Sequence, residues 1–183
     1  MKTGAQRSGR LFLAWAAAAA LLLGGGSATA SQAARPGAAA ASDAALRRAL
    51  GSAYARNRAA LLARDAAAVI ALRTADFEVV TPDGARHGAA EMAEFSRNLL
   101  ANVERWEALS FDIESVVRRG DEAAAEIRQH SIRLMRRPTG KVERVENWVV
   151  QRETWVKTSA GWRMRRVDNI RDQRVLIDGV PRG

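Results

Sequence analysis

Imidazole is the side chain best matched to proton transfer near neutral pH, and this chain carries two, His87 and His130. His130 is the stronger candidate for an acid or base, because His87 precedes Gly88 at a helix entry, where it serves a turn or a cap. The strand holding His130 is patterned on both faces. Ile132 and Leu134 place His130 inward, Ile127 and Met135 place it outward, and a β-bulge would reconcile them. Glu153 is the second candidate. Facing inward, it pairs with His130 or Arg128; otherwise it makes an ordinary cross-strand salt bridge. Asp168 and Asn169, near the end of the chain, are further candidates of the same type. Tyr54 and Asn57 lie on the sheet-facing stripe of a helix, where a buried hydroxyl or amide needs partners. Trp106, with Trp148 and Trp155, offers either the apolar wall of a ligand pocket or plain core.

Other chemistries are excluded by composition. No cysteine is present, so there is neither a thiol nucleophile, a lipidated cysteine nor a disulfide framework. No glycine-rich phosphate loop occurs, and two unclustered histidines do not make a zinc site. Neither a cofactor nor a metal is expected.

The elements that must position these groups follow from periodicity. Behind Ser42 and Asp43, residues Leu46, Leu50, Tyr54, Asn57 and Leu61 recur at helical spacing, predicting a first helix that ends near Arg64. Asp65 caps a short second helix over 66–72. Residues 77–80 alternate as a strand, and Thr81-Pro82-Asp83-Gly84 turns it. A return through Arg86 and His87 reaches a third helix over 89–103. Four long strands follow, over 106–118, 122–137, 142–157 and from Trp162 to about residue 177. Helices first and antiparallel strands afterwards predict an α+β domain. Its curved sheet wraps around the N-terminal helix and leaves a cone open at one end.

Residues 1–30 read as a signal peptide. Lys2, Arg7 and Arg10 precede an apolar run over 11–23, and Ala28-Thr29-Ala30 supplies a small-residue cleavage site. The run is shorter than the roughly 20 apolar residues a bilayer span needs and ends in three glycines, so no stable membrane anchor is expected. The Ala-rich stretch 31–42 reads as a flexible linker, and 43–183 as the domain. This predicts a periplasmic or secreted protein. The formal charge is +9, nearly all from arginines spread over helices and strands, which does not point to nucleic acid. Compositional drift accounts for it, with loose attraction to anionic envelope surfaces as the other reading.

Residues 66–88 (AAAVIALRTADFEVVTPDGARHG) resemble the segment of the nuclear-transport-factor-2-like, SnoaL-like superfamily in which a short helix precedes a strand, a Pro-Gly turn and a His/Gly helix entry. Residues 152–167 (RETWVKTSAGWRMRRV) resemble the last hairpin of that family. The resemblance implies the same cone fold and places Glu153 where relatives often carry an acidic or hydroxyl side chain pointing into the pocket. It also implies a test against ketosteroid isomerase, in which a carboxylate before the turn proline shuttles the proton. Here Thr81 stands before Pro82, and Tyr54 sits about a turn early, so steroid isomerase chemistry is disfavoured.

Two functions are expected to compete. One is an exported domain that binds a small, largely apolar molecule, with weak isomerase-, cyclase- or dehydratase-like acid–base chemistry. His130 and Glu153 would act there, with Tyr54, Asn57, Arg128, Trp106 and Asn169 in the pocket. The other is a non-catalytic envelope module that homodimerises through the outer sheet face, using Trp148, Val150 and Val156.

Overall fold

The computed structural model describes residues 36–182, with side chains from Asp43 onward. The signal peptide expected over 1–30 therefore lies outside the described residues. Helix α1 spans Pro36–Leu62, α2 Ala66–Ala71 and α3 Ala89–Asn102. The strands are β1 Arg73–Val80, β2 Arg86–Gly88, β3 Val103–Arg119, β4 Glu122–Arg136, β5 Val142–Thr158, β6 Gly161–Ile177 and β7 Val180–Arg182. α1 begins inside the stretch read as a linker. Alanine has the highest helix propensity, and Pro36 sits at the first helical position, where its missing N–H costs nothing.

α1 ends without glycine. Arg64 takes the left-handed position (φ 56°), and the Asp65 N–H reaches back to the Ala60 carbonyl at 2.9 Å, closing a Schellman turn. Asp65 then starts α2, its Oδ1 accepting from the Ala68 N–H at 2.9 Å.

The sheet runs β2-β1-β6-β5-β4-β3, with β7 beside β6. It is mixed, not purely antiparallel, because β1 pairs parallel to β6. Bulges bend it. Between Val150↔Arg171 and Arg152↔Asp168, and again between Trp148↔Arg174 and Val150↔Arg171, β6 holds one residue more than β5. The extra residues coincide with left-handed Asn169 (φ 47°) and Asp172 (φ 51°), types that tolerate that conformation. β3 carries three further irregularities against β4.

The concave face closes over α1. Leu46, Leu50, Ala53 and Tyr54 pack with Phe77, Ile127, Trp155, Val167 and the small Ala123 and Ala125. A satellite cluster of Ala60, Val69 and Leu100 seals the junction of the three helices. β3 is an edge strand, and arginines from α1 and its C-terminal turn cover its outward carbonyls. Arg47 donates to Ile113 O and Glu114 O, Arg58 to Leu109 O and Arg64 to Val103 O, at 2.8–3.2 Å. Part of the positive charge thus fastens helix to sheet.

Candidate functional site

The site is built on β5. That strand pairs with β4 without a register shift from Glu122↔Val156 to Arg136↔Val142, so side-chain alternation is unbroken along both. Val149, Gln151, Glu153 and Trp155 therefore point into the cone. Glu153 is flanked in the sheet by Ala125 and Val167, and the small alanine leaves room beside it.

Glu153 is 1 % exposed and tied into a network that crosses to α1. The Tyr54 hydroxyl donates to Glu153 Oε2 at 2.5 Å. The Trp155 indole N–H is shared between that oxygen at 3.2 Å and Tyr54 Oη at 3.1 Å. Gln151 Nε2 donates to Oε1 at 2.7 Å. Burial raises the Glu153 pKa, opposed by the donors Tyr54, Gln151 and Trp155 and by the charge of Arg73. Tyr54 is raised as well, first by burial and then by Glu153, so its hydroxyl stays protonated and acts as a donor. Turned over, the Gln151 amide accepts from a protonated carboxyl, so it serves Glu153 in either charge state.

This network forms one wall of a cavity of about 260 Å³, just below the ~300–1,000 Å³ of drug-sized sites. Phe77, Phe111, Met164 and Ile170 give it an apolar lining, while Asn57, Gln129, Gln151 and Arg73 add polar atoms. Arg73 lies with its guanidinium 4.6 Å from the centre of the Phe77 ring and donates to the Met92 carbonyl at 3.1 Å. Its pKa is lowered by burial, with Glu153 acting the other way.

A larger hollow of about 540 Å³ lies on the opposite sheet face, and several of its charges pair with one another. Asp168 meets Arg152 at 2.7 Å and Arg166 at 3.0 Å, and Glu122 meets Arg165 at 2.6 Å. Those carboxylates are matched by arginines, whereas Glu153 is a shielded group against a cavity with no ion pair among the described residues.

The expected site residues divide accordingly. Tyr54, Asn57 and Glu153 come together around the cone. His130 does not join them. Because β4 carries no bulge against β5, the inward Ala125 and Ile127 fix Gln129 and Ser131 inward and His130 outward. There it stacks on Trp148 at 4.8 Å and bonds Glu146 through Nε2 at 2.9 Å. Arg128, on the same outer face, pairs with Glu114 at 2.6 Å. Neither forms an inward pair with Glu153. Asn169 is exposed on its bulge, with Nδ2 3.4 Å from Glu126 Oε1. Trp106 packs against the satellite cluster, its ring 5.7 Å from the Arg133 guanidinium, and is not a wall of the cavity. Thr81 is committed to its turn, with Oγ1 2.7 Å from Asp83 Oδ1 and 2.8 Å from Ala85 O.

The sequence reading missed Arg73 and the polar role of Gln151. Gln151 was legible as the inward neighbour of Glu153 two positions away, but Arg73 precedes the alternation that marked β1. Among the described residues no cluster of His, Asp or Glu could hold a metal ion.

A helix-filled cone of this kind, with its polar groups on the inner wall of a curved sheet, defines a class, and the comparisons place the chain in it. The SnoaL-like domain model matches residues 53–168, more than half of the chain, so the chain belongs to the SnoaL-like domain family. No curated protein matches it. A conserved protein from Planctomyces limnophilus is 20% identical with a TM-score of 0.58, over 75% of this chain and 98% of that one. A proposed dehydratase of the NTF2-like family from Streptomyces avermitilis is 18% identical with a TM-score of 0.56, over 68% and 95%. A proposed aromatic ring hydroxylase from Novosphingobium aromaticivorans is 21% identical with a TM-score of 0.53, over 66% and 85%. At such identities the likeness is one of fold.

Proposed function

We propose that the chain binds a small, largely apolar molecule in its cone and moves a proton on it through Glu153. The observation that carries this reading is a carboxyl with almost no exposure, held by three donors beside an apolar cavity. Burial shifts such a group toward neutral pH, the range in which it can both give and take a proton. As a carboxylate it would accept a proton from carbon next to a ligand carbonyl; as an acid it would return one at a second position or to a departing hydroxyl. Tyr54 and Trp155, which donate to its Oε2, stabilise the carboxylate before the first step and after the second. Isomerisation and dehydration are the reaction classes this suits, in keeping with the dehydratase description given to the Streptomyces relative.

Purified protein, denatured and extracted, tests the reading by mass spectrometry. A small apolar species should be enriched from the native chain and lost from Val167→Trp, which fills the cavity. Identical extracts from both would overturn it.

The reading also includes export by residues 1–30 to the periplasm or the medium, supported by the basic start, the apolar run and the small residues before Ser31. N-terminal sequencing of the mature protein checks the cleavage point. The alternative function is a homodimer through the outer sheet face, where Trp148 lies half-buried, its ring 4.8 Å from His130 and 5.1 Å from the Arg174 guanidinium. Sedimentation of the mature chain, with Trp148→Ala as control, decides it.

A further inference from the structure

We infer that the cone selects ligands bearing a carboxylate, which Arg73 receives, the apolar body of the ligand lying against Phe77, Phe111 and Ile170. This rests on the proposed pocket and names its substrate class.

Arg73 is the one cation among the described lining residues, and Glu153 the one carboxylate. A shielded guanidinium ordinarily has an anionic partner, because removing its charge from water is costly. Six arginines around the sheet, Arg128, Arg137, Arg144, Arg152, Arg165 and Arg171, each meet a carboxylate at 2.6–2.9 Å; of Arg73 and Arg133, shielded without one, only Arg73 lines the cavity. Among the described residues Arg73 forms no such ion pair. Its contacts are one backbone carbonyl and a ring face, which occupy a small share of five N–H donors arranged as a fork. The nearby acid does not fill the gap. Both Glu153 oxygens are already engaged by Tyr54, Trp155 and Gln151, and burial favours the neutral form of that group. The cavity therefore offers an unpaired guanidinium beside an apolar wall, with the amides of Asn57, Gln129 and Gln151 as uncharged polar groups, and a carboxylate fits the guanidinium fork in two parallel hydrogen bonds.

Titration calorimetry on the mature chain tests this with straight-chain carboxylates from butanoate to octanoate, phenylpropionate, and the alcohol matching each acid. The acids should bind at least tenfold more tightly than their alcohols. Arg73→Met should abolish that preference while leaving alcohol binding within about twofold, and Glu153→Gln should retain the preference. Acids and alcohols binding alike would overturn the carboxylate assignment and leave the pocket standing. Binding of neither series would overturn the pocket with it. The comparison within the wild-type protein decides the matter even if Arg73→Met does not fold.

Discussion

Tyr54 and Glu153, ninety-nine positions apart in the chain, meet with the phenol oxygen 2.5 Å from a carboxyl oxygen. The contact ties α1 to the middle of β5 in the driest part of the molecule. Tyr54→Phe keeps the ring packed against Phe111 and Trp155, at 5.6 and 5.2 Å, and removes only the hydroxyl. It should cost about 1–3 kcal/mol, the range for leaving a buried polar partner unsatisfied. Urea denaturation measures the loss. The same substitution in a Glu153→Leu background should cost measurably less, because the group it abandons is gone.

The raised pKa of Glu153 gives stability a definite pH dependence. Folding favours the neutral carboxyl, so its stabilising contribution is fully present below the ordinary carboxylate range. It is lost as pH rises through the elevated folded value. Glu153→Gln cannot ionise. The variant should therefore gain on the wild type as pH is raised, with the gap closing in acid. Melting temperatures of both proteins from pH 4 to pH 8 read this directly, and parallel profiles would contradict it.

Arg133 presents the opposite case. Burial, aided by the charge of Arg137, pushes its pKa down to about 10. Its contacts are Ser131 Oγ at 3.0 Å, Met135 Sδ at 3.2 Å and the Trp106 face, with no ion pair among the described residues. Arg133→Met keeps the volume and discards the charge, and should raise stability by about 1 kcal/mol. Denaturant midpoints provide the measurement.

Asn169 and Asp172 adopt the left-handed conformation within β6. Valine is ill suited to it, because a branched Cβ meets the following carbonyl. Asn169→Val should cost about 1–2 kcal/mol, whereas Asn169→Gly should cost nothing or add a few tenths. Thermal unfolding of the two variants separates backbone strain from loss of the Asn169 amide.

The elements were largely readable because periodicity and turn chemistry agree. The helix stripe from Leu46 to Leu61, the Thr81-Pro82-Asp83-Gly84 turn and the glycines at 120, 140 and 161 mark positions the structure uses. Curvature was not readable, since a bulge adds a residue that alternation counting cannot distinguish from a change of face. That is why His130 stayed ambiguous: Ile132 and Leu134 look inward by type yet lie half-buried on the outer face. Glu153 was found through a family likeness, but its partners were not. Tyr54 reaches it across ninety-nine positions, and Arg73 carries no local pattern to announce it. The parallel pairing of β1 with β6 was equally invisible, because no feature of either strand fixes its direction relative to the other.

That pairing shapes how the molecule comes into being. Arg73 must pair with Met164, about ninety positions away, and contacts so distant in sequence form late and slowly. Until the final long strand is delivered, the vessel lacks part of its rim. Hairpins from β3 to β5 can assemble early, but the cavity lined by Met164, Val167 and Ile170 stays open. Chains cut short before residue 161 should lack the β1–β6 pairing and be prone to proteolysis.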